Sequence, residues 1–442
     1  MTTKTTYDIC VLPGDGIGVD VVDATLPLLD KLTHDAGFSL HFATHPAGAQ
    51  HYAATGEALP AKTLEAARAA DAIFFGAMGW PAIRYPDGTE IAPQLDLRVE
   101  LELFAGVRPA RALPGLPMPL ADPRARQIDL VVVRESTEGL FASRGLGTIE
   151  NDNVARDTMV ITRKGCERLH DFAFRLAQRR KAKGSPGRVT CVDKANVFRS
   201  MAFFRKIFDE RARAFPDIEA RHNYIDATAL DLIRKPWEFD VLVTENMFGD
   251  ILSDETAALV GGMGMAPSGD IGDRHGMFQP CHGSAPDIAG QGKANPIATI
   301  LSGALMLDWL AQQHGNDALA RAAERLERAV DTALESGKVV PIEFGGRDGT
   351  TAIAADRNIA VGFATPRPAI SGAVPWHGWK TAWRSPTSAD GAIPMPPMSA
   401  APRSDRMSPN MFSVTSTSKS HGERTRRSAV ASTYAQSAST SG

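Results

Sequence analysis

The chain has 442 residues, 43% of them hydrophobic, and a formal net charge of only −3. This length suggests one large domain or two ordinary ones, and the near-neutral charge gives no case for a nucleic-acid or membrane-surface partner. No stretch reaches the roughly 18 apolar residues that a membrane-spanning helix needs, and the polar start of the chain has no apolar run of the signal-peptide type.

The cysteines are few and scattered, and they form no CxxC pair. They are Cys10, Cys166, Cys191 and Cys281. This spacing indicates neither a disulfide framework nor a zinc site. We therefore expect a protein of the reducing cytoplasm.

Short apolar runs alternate with segments of helical spacing along most of the chain. The runs predict strands at residues 7–12, 72–76, 130–133, 189–192 and 241–244. The helical spacing predicts helices at residues 19–33, 64–70, 163–181, 201–215, 251–260, 297–314 and 318–336. This alternation is typical of an α/β fold with a largely parallel sheet.

The composition changes near Thr365. From there to Gly442 the chain has 15 serines, frequent prolines, and 9 Lys and Arg against 3 Asp and Glu. No helical or strand periodicity extends over a useful length, so we predict that residues 364–442 form a disordered tail. Its basic cluster at residues 424–427 could contact an acidic partner, although a solvated tail is the simpler interpretation.

The first predicted strand leads into a turn that contains Gly14, Gly16 and Gly18. In the Rossmann dinucleotide fingerprint the third glycine comes three residues after the second, and this turn does not match that spacing. A tight strand-to-helix turn is therefore the favoured interpretation.

Two carboxylates, Asp250 and Asp254, lie four residues apart in NMFGDILSD, on one face of a predicted helix. Like charges at this spacing repel unless a cation lies between them, and oxygen ligands favour Mg²⁺ or Mn²⁺. A metal site and a solvated acidic face are equally good interpretations of these two residues alone.

Asp226 adds a third carboxylate after a polar turn. Lys194 follows a strand end, where it could either transfer a proton or be an ordinary surface lysine.

Three arginines precede these residues along the chain: Arg98, Arg108 and Arg134. The planar guanidinium group suits bidentate binding of a carboxylate. Each arginine alone is typical of a surface ion pair, but three near predicted strand or helix ends indicate a substrate with several carboxylates.

Residues 281–296, CHGSAPDIAGQGKANP, form a long loop before a predicted helix. Glycine-rich loops of this kind expose backbone N–H groups to phosphates, and an aspartate can accept a hydrogen bond from a ribose hydroxyl. A plain connecting loop is an equally good interpretation.

Together these segments resemble the decarboxylating 2-hydroxy-acid dehydrogenases, the family of the isopropylmalate, isocitrate, homoisocitrate and tartrate or D-malate dehydrogenases. The resemblance runs from about Tyr7 to Phe363. It depends on the order and spacing of LPGDGIG, Arg98, the RP motif at Arg108, RESTEG at Arg134, VDKAN, NMFGDILSD and HGSAPDIAGQGKANP.

The resemblance implies an isopropylmalate-dehydrogenase-like fold of two domains, with a cofactor site unlike that of the Rossmann domain. Residues 1–103 and 261–363 would form the first domain, which holds both termini of the body. Residues 104–260 would form an inserted domain that dimerises and carries the metal ligands. The active site would lie in the cleft between the domains and be shared between the two subunits of a homodimer.

The resemblance also assigns roles to the site residues. The three arginines would bind the malate part of the substrate. Asp250 and Asp254 would coordinate Mg²⁺ or Mn²⁺ together with Asp226 of the partner subunit. Lys194, also from the partner, would help to take the proton from the substrate hydroxyl, so that Lys194 and Asp226 are the catalytic candidates.

The loop would bind NAD, as the resemblance implies. The cofactor-binding candidates are His282, Gly283, Ser284, Ala285, Asp287, Ile288 and Asn295. NADP-using relatives carry Lys and Tyr at the positions of Asp287 and Ile288, and a carboxylate repels a 2′-phosphate. The resemblance therefore favours NAD over NADP.

The sequence departs from the family at Phe141, where the usual general acid is a tyrosine. Because phenylalanine cannot donate a proton, the resemblance leaves open how the enolate product is protonated. A regulatory family member without turnover is therefore an alternative to an active enzyme.

The segment before Arg98 bears on the substrate. Ala92 stands where isocitrate enzymes use a serine, and the isopropylmalate pattern is met by Leu95 but not by Ile91 and Gln94. We therefore predict NAD-dependent oxidation, with decarboxylation, of 3-isopropylmalate first, of tartrate or D-malate second, and of isocitrate third.

Overall fold

The computed structural model of the protein describes residues 4–33 and 36–356. The predicted tail, residues 364–442, lies outside them. The strands of the described part are β1 Thr6–Gly14, β2 Ser39–Thr44, β3 Ala72–Ala77, β4 Ala105–Arg111, β5 Asp129–Glu135, β6 Thr148–Glu150, β7 Val154–Arg156, β8 Arg188–Asp193, β9 Glu219–Tyr224, β10 Val241–Thr244, β11 Pro267–Ile271 and β12 Gly276–Pro280. The helices are α1 Ile17–Thr33, α2 Ala49–Thr55, α3 Ala61–Ala69, α4 Pro93–Glu100, α5 Arg163–Lys181, α6 Arg199–Ala212, α7 Ile225–Arg234, α8 Asn246–Leu259, α9 Ile297–His314, α10 Asp317–Glu335 and α11 Thr350–Ala355.

A single ten-stranded sheet organises the fold, in the order β2-β1-β3-β12-β11-β4-β5-β10-β8-β9. The strands at both ends of the sheet pair in parallel, and the three central pairings, from β12 to β5, are antiparallel. The predicted α/β class with a largely parallel sheet is therefore confirmed, with an antiparallel centre that the sequence did not reveal. The strands β6 and β7 form a separate hairpin.

The two parts of the predicted domain division occupy opposite ends of this sheet. Strands from residues 6–77 and 267–280 lie at one end, and strands from residues 105–244 lie at the other. They meet where β11 pairs with β4. The sheet is continuous where β11 pairs with β4, so it does not mark a break between two domains. The domain boundaries at residues 103 and 260 therefore stay a prediction.

The core lies between the sheet and its helices. Every residue of β3 is buried, and so is every residue of α9 from Ile297 to Ala311. Helix α9 can be apolar on all sides because it packs against both the sheet and α10. Helix α10 instead buries one face, at Leu319, Ala322, Leu326 and similar positions three or four residues apart.

Two segments differ from what the sequence predicts. The prediction of a polar turn before Asp226 is wrong, because residues Glu219–Tyr224 form β9, an edge strand of the sheet whose side chains are mostly exposed. An edge strand with two polar faces lacks the apolar alternation by which strands are recognised. Helix α8 begins at Asn246, five residues before the predicted start, because the Glu245 carboxylate accepts hydrogen bonds from the Met247 and Phe248 backbone N–H groups.

The glycine-rich turn joins β1 to α1, which confirms its interpretation as a tight strand-to-helix turn. Gly14 and Gly16 have φ angles of 77° and 57°, which favour glycine. The Ile17 N–H donates to the Ser284 backbone carbonyl at 2.8 Å, and a Cβ atom on Gly16 would lie 2.1 Å from that oxygen. The turn therefore also fixes the loop of residues 281–296 against α1.

Within the described residues, no helix is both long and apolar enough to cross a membrane.

Candidate functional site

The three arginines come together from three different elements. Arg98 lies in the last turn of α4, Arg108 in β4 and Arg134 in β5. Their exposures are only 5%, 6% and 2%. Burying three cations side by side is unfavourable unless anions compensate them, so the surrounding carboxylates decide what this site can bind.

A carboxylate that sequence reasoning missed, Asp270, lies between two of these arginines. Its Oδ2 accepts a hydrogen bond from Arg98 at 3.1 Å, and its Oδ1 is 3.9 Å from Arg108. Burial alone would raise the pKa of Asp270, but the nearby arginines Arg98, Arg108 and Arg134 hold it below its usual range. The surrounding sequence, PSGDI, carries no motif or spacing that marks this aspartate as part of the site.

Arg134 has different partners. Its Nε and one terminal nitrogen donate to Asn246 Oδ1 at 3.0 and 2.7 Å, and its other terminal nitrogen contacts the Asp250 carboxylate. Burial and repulsion from the two neighbouring arginines lower the pKa of Arg134 to about 10. The group therefore stays charged at neutral pH, and a further anion beside it would be stabilised.

Asp250 and Asp254 lie one turn apart on α8, as the sequence predicts. Desolvation and the neighbouring Asp250 raise the pKa of Asp254, while Arg108 and Arg134 oppose that rise. The repulsion between the two carboxylates is the strain that a bound divalent cation would relieve. The two aspartates therefore suit a hard cation that also faces the arginines.

The third predicted metal ligand is not brought to this pair. Lys194, just after β8, donates to Asp226 Oδ1 at 2.6 Å, and this bond lowers the pKa of Asp226. Within residues 4–33 and 36–356, no three His, Cys, Asp or Glu side chains are placed to hold a metal ion. One copy of the chain therefore contains an arginine and aspartate site and, separately, a Lys194–Asp226 pair.

The loop of residues 281–296 presents backbone and side-chain groups beside α1. The Nε2 atom of His282 is buried and has no hydrogen-bond partner among the described residues, while its Nδ1 lies 3.0 Å from the Gly283 carbonyl oxygen. Burial lowers the pKa of His282, which favours a neutral ring with an unpaired Nε2 atom. Ala285 has a φ of 35°, a conformation that favours glycine and indicates local strain.

The remaining cofactor candidates differ in their surroundings. Ser284 Oγ donates to the Gly79 carbonyl at 2.5 Å, and Ile288 packs on a small apolar cluster of α1. Asp287 is exposed. Asn295 donates to Glu343 at 2.9 Å and accepts from the Ile297 N–H at 3.0 Å, so its amide already joins the loop to α9.

Two further side chains border the arginines. Phe141 begins a short 3₁₀ turn and lies with its ring centroid 5.0 Å from the Arg134 guanidinium carbon. Cys281 accepts a hydrogen bond from Arg108 at 3.0 Å. Phe141 is therefore adjacent to a candidate substrate-binding arginine.

A glycine lets α8 approach the arginine site. A Cβ atom on Gly249 would lie 2.6 Å from Arg134 Cβ and 3.1 Å from Arg134 Cα. Only glycine at this position allows α8 to place Asn246 and Asp250 against the Arg134 side chain.

Comparison with known proteins places the chain among dehydrogenases. The family model described as isocitrate/isopropylmalate dehydrogenase matches residues 8–356. The 3-isopropylmalate/3-methylmalate dehydrogenase of Methanocaldococcus jannaschii is 44% identical over 341 residues, which cover 77% of this chain and 94% of that protein. The 3-isopropylmalate dehydrogenase of Heyndrickxia coagulans is 43% identical over 338 residues, covering 74% and 88%. The crystal structure of isocitrate dehydrogenase from Methylococcus capsulatus superposes with a TM-score of 0.69 at 36% identity, covering 80% of this chain and 98% of that one.

The contact at Gly249 generates a prediction. Gly249→Ala should lower the free energy of unfolding by about 1–3 kcal/mol, because the methyl group overlaps the Arg134 side chain and backbone. Gly303→Ala in α9 is the matched control, since its Cβ would meet only the Leu29 side chain, at 3.0 Å. Urea unfolding of both variants measures the difference. Equal stability of the two variants would contradict the close approach of α8 to Arg134.

Proposed function

The chain belongs to the isocitrate/isopropylmalate dehydrogenase family of decarboxylating hydroxy-acid dehydrogenases, and on that premise we propose that it oxidises and decarboxylates 3-isopropylmalate with NAD and a divalent metal ion. One observation carries the proposal: three buried arginines face two repelling carboxylates on α8. Such a site suits a substrate that brings carboxylates to the arginines and shares a cation with the aspartates.

The arginines would bind and orient the substrate. Arg134 has a lowered pKa and lies beside Asp250. A substrate carboxylate bound there would offset the charge of Arg134 and stay close to Asp250 and Asp254. The three arginines are almost fully buried, and a low-dielectric setting of this kind would strengthen their ion pairs with a substrate carboxylate.

The residues present also fit the two cofactors. Asp250 and Asp254 would hold Mg²⁺ or Mn²⁺, while His282 Nε2 is an unpaired polar atom in the loop that would bind NAD. When bound, the metal ion supplies a Lewis acid at the substrate oxygen and NAD supplies a hydride acceptor. The exposed Asp287 carboxylate favours a ribose diol over a 2′-phosphate, which supports NAD over NADP.

The Lys194–Asp226 pair of the partner subunit would take the proton from the substrate hydroxyl. We propose a homodimer in which each site takes Asp250 and Asp254 from one chain and Lys194 and Asp226 from the other. The exposed apolar side chains of α7 and α8, Leu230, Ile233 and Ile251, support this arrangement because they would be covered by a second copy.

Alternative functions are supported less well. Tartrate or D-malate, and then isocitrate, remain the other candidate substrates, but the names of both relatives described above include 3-isopropylmalate dehydrogenase activity. A regulatory role without turnover is favoured only by Phe141. The presence of all three arginines, both aspartates of α8 and Lys194 argues against it.

We also propose the cytoplasm as the location of this enzyme. All four cysteines lie in the described part of the chain and are free thiols, three of them buried. Free thiols fit a reducing compartment. Recovery of the protein mainly from a membrane or extracellular fraction would contradict this proposal.

A substrate panel tests the proposed activity. With NAD and Mn²⁺, kcat/KM should be highest for 3-isopropylmalate among that acid, D-malate, tartrate and isocitrate, with NADH formation and CO₂ release followed separately. NADP should replace NAD poorly. Excess chelator should abolish NADH formation and added Mn²⁺ should restore it. A higher kcat/KM for another acid would refute the substrate, and no NADH with any acid would favour the regulatory alternative.

Mixing two inactive variants tests the shared site. Asp226→Asn and Asp250→Asn should each be inactive, and subunit exchange between them should restore up to about a quarter of the wild-type activity, because half of the dimers would then hold one intact site. Mixing Asp250→Asn with Asp254→Asn is the control, since every site would keep a damaged ligand. Restoration in the control, or none in the first mixture, would argue against ligands from two chains.

The missing phenol generates a separate prediction. Protonation of the enolate should limit the steady-state rate of the wild-type enzyme. NADH should therefore form faster in the first turnover than in the steady state. A positioned general acid contributes about 10²- to 10⁴-fold in rate, and Phe141→Tyr should recover part of that factor.

Phe203→Tyr is the matched control, because its ring also lies beside an arginine, 5.8 Å from the Arg163 guanidinium carbon. Stopped-flow measurement compares the burst with the steady state in each variant. If wild type shows no burst and Phe141→Tyr leaves the rate unchanged, another group supplies the proton.

A further inference from the structure

The carboxylate of Asp270 is enclosed by the protein. The residue has no exposed surface, and its oxygens meet Arg98 at 3.1 Å, Arg108 at 3.9 Å and the Gln279 amide nitrogen at 2.8 Å. Ser136 Oγ lies at 3.5 Å. Because the side chain is fully buried, Asp270 would act on a substrate through the groups around it, of which the two arginines are the charged ones.

Its position in the sheet places it against these arginines. Asp270 in β11 pairs with Gly106 in β4, two residues from Arg108. A Cβ atom on Gly106 would lie 3.2 Å from Asp270 Oδ1 and 2.7 Å from Ser136 Oγ. The missing side chain at Gly106 therefore leaves room for the aspartate beside β4.

The charge of the arginine cluster is only partly compensated. Three guanidinium groups carry three positive charges, and Asp270 removes one of them. The two carboxylates of α8 would be offset by a divalent cation. The Nε atoms of Arg98 and Arg108 are buried without hydrogen-bond partners in the described residues, so the remaining charge is not saturated by protein groups.

We propose that the negative charge of Asp270 makes the site prefer substrates with two carboxylates over substrates with three. The inference rests on the proposed function, in which the arginines bind the acid. Two positive charges are left for the substrate, and they match the two carboxylates of a substituted malate. A third carboxylate would enter a region whose potential Asp270 has already reduced. Asp270 is thus a positioning residue that determines specificity through charge.

Equilibrium binding tests this without requiring turnover. Calorimetry in the presence of Mg²⁺ gives Kd for 3-isopropylmalate, with two carboxylates, and for isocitrate, with three. Wild type should bind 3-isopropylmalate more tightly. Asp270→Asn should shift the ratio of the two Kd values toward isocitrate by about tenfold or more, as expected for one unit charge within a partly desolvated site. Asp270→Glu should keep the wild-type preference.

Asp240→Asn is the matched control. Asp240 is also fully buried and pairs with an arginine, Arg180, at 2.6 Å, but it is not in contact with the substrate-binding arginines. It should lose stability while the ratio of the Kd values stays unchanged. If Asp270→Asn does not fold, Gln279→Glu adds a negative charge at the same place and should shift the ratio away from isocitrate.

The outcomes are distinct. A ratio that stays constant in Asp270→Asn while stability falls would show a purely structural role and overturn the inference. Wild type that binds isocitrate at least as tightly as 3-isopropylmalate would also overturn it. If the acids bind with the expected preference but none is oxidised, the proposed function fails while the charge-based specificity stands.

Discussion

Burial of three neighbouring arginines, two of them paired with the fully buried Asp270, is the constraint on which this site depends. Isolated buried cations are costly, and a buried ion pair is tolerated only when its geometry and additional hydrogen bonds are good. Asp270 meets that requirement for Arg98 and Arg108, and Asn246 with Asp250 meets it for Arg134. What remains is a positive potential that favours an anionic ligand.

The fold brings these groups together through backbone features at a few positions. The antiparallel pairing of β4 with β5 sets Gly106 opposite Arg134, and the pairing of β11 with β4 sets Gly106 opposite Asp270. Gly249 lets α8 come close enough for its polar start to reach Arg134. The glycines therefore serve the site by the absence of a side chain, which is a packing role rather than a conformational one.

The arrangement of charge in one copy also explains why a second copy is proposed. Asp250 and Asp254 repel each other, whereas Asp226 is paired with Lys194. In the proposed reaction, Asp250 and Asp254 would hold the cation and Lys194 with Asp226 would transfer the proton. In one copy of the chain, the α8 aspartates are separate from the Lys194–Asp226 pair. The exposed apolar residues on α7 and α8 lie on the same helices that carry Asp226, Asp250 and Asp254, so an interface there would bring the aspartates of two copies together.

The sequence by itself determined the α/β class, the strand-to-helix turn at Gly16 and the helical spacing of Asp250 and Asp254, because each follows from a periodicity or spacing within one segment. The order of its motifs also determined the family. Only the tertiary structure decided that Asp270 compensates Arg98, since their contact joins residues 172 positions apart. It also decided the antiparallel centre of the sheet and the edge strand β9, which depend on pairing between distant segments and leave no local pattern.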